Sequence, residues 1–138
     1  MSILYVMFGV PDSGKTTYSK QLADTEGLTR FARDEMRCRN LTELMTPVVE
    51  SLRNGDNVVV DSVHSRLVDR QKLLQLVKRV PCKKVLVYMN TSLDECLKRN
   101  ANKPHPLTDE FIKFSYRSLQ RPRKSEGWDE IMVINETD

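Results

Sequence analysis

The chain has 138 residues, 39% apolar and 30% charged, and a formal net charge of +3, which fits one domain around a single core and leaves no room for a second. No stretch approaches the roughly 18 to 20 consecutive apolar residues that a membrane span needs, and residues 1–7 are too short and uncharged for a signal peptide, so a cytoplasmic protein is expected. Cys38, Cys82 and Cys96 are odd in number and widely spaced, with two histidines in the chain, which argues against a disulfide framework and against a structural zinc site.

Ser2–Phe8 is a β-branched and aromatic apolar run, predicted as a strand buried on both faces of a parallel sheet. Residues 16–25 have helical composition, with Tyr18 and Leu22 four apart and Gly27 as terminator. Thr29–Ala32 reads as a short strand. Asp34 then stands where it would cap a helix over residues 35–53, which Pro47 is expected to split or bend. Residues 54–56 form an Asn-Gly-Asp turn signal before a short buried strand at 57–61, whose last residue, Asp61, is a carboxylate at a strand's carboxyl end.

Leu73, Leu74, Leu76 and Val77 fall on a helical period within residues 67–80, ended by Pro81. A strand at 83–89, helices at 93–100 and 108–119, and a strand at 130–134 complete the chain. The alternation predicts an α/β fold, a parallel sheet of about five strands with helices on both faces. Residues 103–106, Lys-Pro-His-Pro, are the most irregular internal piece and lie where a lid would sit between two helices.

Charge is unevenly spread. Residues 1–77 carry 10 Lys/Arg against 10 Asp/Glu, residues 78–124 carry 12 against 4, and residues 125–138 carry none against 5. The middle block reads either as a solvated basic face or as a phosphate-binding surface, with Lys98, Arg99, Lys103, Lys113, Arg117, Arg121, Arg123 and Lys124 available.

Gly9, Val10, Pro11, Asp12, Ser13, Gly14, Lys15 and Thr16 fit G-x-x-x-x-G-K-[ST] between a predicted strand and a predicted helix. In such a loop, glycines let backbone N–H groups turn toward phosphate oxygens and the following helix adds the positive end of its dipole. Lys15 reaches the outer phosphates, and the Thr16 hydroxyl can hold Mg²⁺, with Thr17 in support. Nucleotide binding is therefore expected. A GTPase would bring an N-K-x-D segment and a motor a longer chain with arginine fingers, which leaves a small phosphotransferase.

Residues 32–37 put carboxylates between Arg33 and Arg37. Asp34 and Arg37, three apart, would face one side of a helical turn, the acid to take a proton from an attacking hydroxyl and the arginine to hold an acceptor phosphate. Standing alone, the cluster reads as a helix cap with an ordinary ion pair.

It does not stand alone. G-V-P-D-S-G-K-T-T at 9–17, R-D-E-M-R at 33–37, V-V-V-D-S at 58–62, L-K-R-N at 97–100 and P-R-K-S-E-G-W-D at 122–129 together resemble the 5′-hydroxyl polynucleotide kinase family of P-loop phosphotransferases, in order and spacing, over nearly the whole chain. The resemblance implies one P-loop kinase domain over residues 1–138, with a lid at about 99–107, that uses ATP or another nucleoside triphosphate with Mg²⁺. The acceptor it implies is the 5′-hydroxyl end of RNA or DNA. It further implies that Asp34 is the general base and Arg37 a contact to acceptor phosphate. Asp61 and Arg70 would lie on the acceptor side, and Arg99 and Lys103 would be lid cations on the donor phosphates. Read without the resemblance, Asp61 is a strand-end cap, and Arg70 and Arg99 are solvated helix charges.

The chain departs from the family's pattern in places. Asp12 stands where the family usually has glycine, and Lys103 where it usually has arginine, which keeps the charge but loses the planar fork. Val63 and His64 follow the third-strand carboxylate where the family tends to have asparagine. No D-x-D-x-T phosphatase motif is visible, so transfer without 3′-phosphatase activity is expected. A small-molecule kinase of the same fold and an ATP-binding module without catalysis are the competing readings.

Overall fold

The computed structural model describes residues 1–62 and 66–136; Val63 and His64, singled out above, lie outside the described residues. In chain order the elements are β1 (Ser2–Phe8), α1 (Lys15–Glu26), β2 (Thr29–Ala32), α2 (Arg33–Met36), α3 (Leu41–Arg53), β3 (Val58–Asp61), α4 (Leu67–Leu76), β4 (Cys82–Thr91), α5 (Leu93–Ala101), α6 (Asp109–Ser118), a 3₁₀ turn (Lys124–Glu126) and β5 (Glu130–Glu136). The five strands form one sheet in the order β2-β3-β1-β4-β5, and every neighbouring pair is parallel.

The apolar pattern of the strands places the helices. Leu4, Val6 and Phe8 of β1 face one side of the sheet with Val58, Val60, Leu86 and Tyr88, where Leu44, Met45, Val48 and Leu52 of α3 and Leu73 of α4 cover them. Met7, Val59, Val85, Val87 and Met89 face the other side, against Tyr18 and Leu22 of α1. Burial on both faces is the reason these strands read as continuous apolar runs. No helix among the described residues is long and apolar enough to cross a membrane.

Strand order sets the site. The chain leaves β1 toward β2 and β3 on one side, then crosses to β4 and β5 on the other, so β1 is the switch point of the sheet. Crevices in open α/β sheets form at the carboxyl ends of the strands beside such a point. The segments that follow β1, β2 and β3 begin at Gly9, Arg33 and Ser62, all at that edge.

Two expectations about this region need correction. The predicted helix over 35–53 is two elements, and the break falls at residues 37–40 rather than at Pro47, which sits inside α3. The first turn ends in a Schellman arrangement: the Cys38 N–H donates to the Arg33 carbonyl and the Arg37 N–H to the Asp34 carbonyl, each at 3.2 Å, with Arg37 in the left-handed conformation at φ 56°. The helix restarts at Asn40, whose side chain accepts the Glu43 N–H at 2.9 Å. Asp34 thus lies within α2 and caps nothing; the residue before the helix is Ala32.

The second correction concerns Arg70. Its side chain is 0% exposed and faces a Glu126 side chain 3% exposed. Nε donates to Oε1 at 2.8 Å and Nη2 to Oε2 at 3.1 Å, while Nη2 also donates to the Gln120 carbonyl at 2.8 Å. The guanidinium lies 4.5 Å from the centroid of the Phe8 ring. Glu126 also accepts the Trp128 indole N–H at 3.1 Å and the Arg123 N–H at 2.8 Å. Burial pushes this carboxyl up, but the hydrogen bonds from Arg70, Arg123 and Trp128 outweigh it and hold it below the usual carboxylate range. Arg70 is a core cation under the end of β1 rather than an acceptor contact.

Candidate active site

The loop between β1 and α1 folds as the motif requires. A Cβ on Gly9 would come within 2.5 Å of the Ser13 Oγ and 3.2 Å of the Met89 carbonyl oxygen, so only glycine lets the loop lie this close to β4. Gly14 takes φ 102° as the residue before α1. Thr91 at the end of β4 donates through Oγ1 to the Ser13 carbonyl at 2.6 Å and fixes the loop from outside. The Ser13 Oγ is buried without a hydrogen-bond partner among the described residues.

Lys15 is nearly buried, and its ammonium donates to the carbonyls of Gly9 at 3.0 Å and Val10 at 2.9 Å. Burial lowers its pKa; the charges of Asp61, Cys96, Asp12 and Asp34 act in the opposite direction. A buried cation held only by carbonyl dipoles gains from a polyanion brought alongside it. Cys96 packs with Val10 and Ile112 behind the loop, where burial pushes its thiol up to about 11 and keeps it neutral.

A cavity of about 790 Å³ opens in front of the loop. Pro11, Asp12, Gly14, Lys15, Thr16 and Thr17 line one side; Ala32, Asp34, Glu35, Asp61 and Ser62 line the other; Arg99, Lys103 and Leu107 close it. Asp34, Asp61 and the P-loop therefore share one space. Their states differ. Asp61 is nearly buried and fixed, its Oδ2 accepting from Arg30 Nη2 at 2.8 Å and from the Ser19 hydroxyl at 3.3 Å. Arg30 Nη1 also donates to Glu35 at 2.8 Å. Asp34 is exposed to the cavity, and no hydrogen bond or ion pair engages its carboxylate among the described residues. It is the acid available to accept a proton.

Two cations reach across from the segment after β4. Arg99, in the last turn of α5, donates through Nε to Glu95 at 3.0 Å and through Nη1 to the Asp12 carbonyl at 3.3 Å. The Lys103 ammonium lies 3.0 Å from Asp12 Oδ1. Asp12 is left-handed at φ 67°, and its Oδ2 has no partner among the described residues. Asn100 joins the two ends of the loop between the helices: its amide donates to the Leu107 carbonyl at 2.7 Å and its carbonyl accepts the Leu107 N–H at 2.9 Å.

Of the residues predicted for the site, Arg37 and Arg70 do not line the cavity. Arg37 is exposed on the turn after α2, because the one-turn helix ends before a second residue can share the face of Asp34. Of the basic block, only Arg99 and Lys103 line it, while Arg117 and Arg121 line a separate space of about 300 Å³ with Tyr88 and Tyr116. Arg30, Ser19, Glu35 and Asn100 were not foreseen. A charged residue at alternate position 30 of a half-buried strand was the one signal for Arg30; nothing local marks the other three.

The groups suit a nucleotide with a divalent cation. The cradle excludes side-chain bulk at Gly9, the Ser13 hydroxyl is unpartnered, and the exposed Thr16 hydroxyl lines the cavity opposite two carboxylates, a donor set of the kind Mg²⁺ uses together with phosphate oxygens.

Comparison with known proteins agrees. A putative kinase from Chloroflexus aurantiacus j-10-fl superposes with a TM-score of 0.77 at 19% identity, covering 99% of this chain and 89% of that one. A fungal RNA kinase gives a TM-score of 0.76 at 14% identity, covering 96% of this chain and 73% of that one. Among curated proteins, the L-seryl-tRNA(Sec) kinase of Methanococcus maripaludis is 23% identical over 92% of this chain, which spans only 56% of that protein's length. The family model AAA_33, described as an AAA domain, matches residues 4–122. The chain belongs to the AAA_33 family and has the P-loop kinase fold.

Proposed function

We propose that the protein is an ATP-dependent polynucleotide 5′-hydroxyl kinase, transferring the γ-phosphate of ATP to the 5′-OH end of RNA or DNA, without phosphatase activity. The observation that carries the reading is the shared cavity, in which an unengaged Asp34 carboxylate lies across from the P-loop lysine. The similarity to an RNA kinase fold and to a curated tRNA kinase supports a nucleic-acid acceptor over a sugar or nucleoside.

In this reading the loop N–H groups and Lys15 take the donor phosphates, and the Lys15 ammonium exchanges the carbonyls of Gly9 and Val10 for phosphate oxygens. Mg²⁺, when bound by Thr16 and the donor phosphates, neutralises charge on the leaving group. Asp34 accepts the proton of the 5′-hydroxyl as that oxygen bonds to the γ-phosphorus and the bond to the ADP oxygen breaks. Asp61, held by Arg30 and Ser19, orients the acceptor from the end of β3. Residues 99–107 act as the lid, with Arg99 and Lys103 supplying positive charge to the transferring group.

The test is incubation with γ-phosphate-labelled ATP and a panel of 5′-hydroxyl oligonucleotides, nucleosides and sugars. Label on the 5′ end of the oligonucleotides supports the proposal. Label on a small acceptor alone identifies a small-molecule kinase, and binding of ATP with no transfer identifies an interaction module.

A further inference from the structure

Helix α6 has two apolar sides. Ile112 and Tyr116 pack with Leu93, Leu97 and Val10, which accounts for one side. Phe111 and Phe114, three apart, are on the other and are 48% and 66% exposed. They border a second cavity of about 670 Å³, whose remaining walls are Val10, Pro11, Arg66, Ser115, Ser118 and Gln120.

This groove continues the first cavity. Pro11 lines both. One wall passes from Leu107 in the first to Phe111 in the second, and another from Ser62 to Arg66. Both walls leave from the side on which the acceptor enters, beside Asp61. They are tied together, because the Gln120 side-chain carbonyl accepts the Leu67 N–H at 2.8 Å. Arg66 is held flat against Asp69 by Nε and Nη2 at 3.1 Å each, which largely cancels its charge.

Resting on the kinase reading above, we propose that this groove binds a nucleobase of a single-stranded acceptor, one or more nucleotides 3′ of the reacting end, by stacking on Phe111 and Phe114. Two aromatic faces beside hydroxyl and amide groups, with one neutralised cation, suit a base rather than a phosphate. The volume suits a small organic group. The reacting 5′ nucleotide occupies the first cavity, and the strand leaves it over Pro11.

The test uses the full chain, 3′-fluorescein-labelled 5′-hydroxyl oligonucleotides of one and six nucleotides, and the variants Phe111→Ala/Phe114→Ala and Phe114→Trp. Both substitutions are at exposed positions, and circular dichroism verifies folding. Fluorescence anisotropy is expected to show tighter binding of the hexamer than of the mononucleotide, and a loss in the double alanine variant of about tenfold or more for the hexamer, as base–aromatic stacking predicts. ATP affinity should stay within twofold. Phe114→Trp should retain hexamer binding, with indole fluorescence quenched by the bound base.

Equal hexamer affinity in wild type and double variant overturns the groove assignment, as does failure of wild type to bind the hexamer. A parallel loss of ATP affinity, or a change of oligomeric state by light scattering that marks the face as a contact between copies, overturns it too. Hexamer binding that depends on the two phenylalanines without any phosphate transfer supports the groove and removes the kinase reading. Transfer to the hexamer with unchanged KM in the double variant does the reverse.

Discussion

The Lys103 ammonium sits 3.0 Å from the Asp12 carboxylate, so a cation of the segment assigned as the lid is bound to the loop assigned to the donor phosphates. Both unusual positions noted in the sequence meet in this one pair. Asp12 competes with phosphate for Lys103, and its left-handed backbone is one that glycine adopts without cost.

Replacing Asp12 by glycine removes the competing charge and the backbone strain together. A partly exposed pair of this kind is worth about 1 kcal/mol, so the KM for ATP is expected to fall about fivefold in D12G, and the melting temperature to rise by a few degrees. Steady-state kinetics and thermal unfolding check both. A rise in KM would mean that Asp12 positions Lys103 for the donor.

Arg70 and Glu126 form a buried pair, and removing one partner strands the other. Arg70→Ala is expected to destabilise the protein by about 3–5 kcal/mol, measured by urea unfolding. The Glu126 carboxyl titrates lower in the folded chain than its ordinary value, so it binds fewer protons folded than unfolded across that interval. Its contribution is complete above the unfolded pKa of about 4.3 and is lost as pH falls through the folded value. E126Q should therefore be less stable at neutral pH and show a shallower loss of stability on acidification than wild type.

Arg37 pays for a left-handed backbone in the turn after Asp34. If that geometry serves the acceptor, R37G should raise stability by about 1 kcal/mol while weakening 3′-phosphorylated acceptors more than 3′-hydroxyl ones. Paired KM measurements on the two acceptors check it; equal values would remove the proposed phosphate contact.

What could be read from the sequence was local. The P-loop is contiguous, and its strand–loop–helix setting follows from the periodicity on either side; Asp34 and Asp61 were legible because each ends a short apolar run. The arrangement around them was not. Arg70 meets Glu126 56 residues away and Arg30 meets Asp61 31 residues away, pairings set by which strands adjoin, so a buried structural cation and a site residue look alike in one dimension. The break after α2 was misplaced because a proline drew attention to position 47, while the chain turns at a non-glycine residue that carries no turn signature.

The most direct measurement is Asp34→Asn assayed for ATP binding by calorimetry and for phosphate transfer to a 5′-hydroxyl oligonucleotide, beside Lys15→Ala. Loss of a general base predicts transfer reduced about 10²–10⁴-fold in Asp34→Asn with ATP affinity within twofold of wild type, and Lys15→Ala losing transfer while remaining folded. Transfer at the wild-type rate in Asp34→Asn would contradict the account.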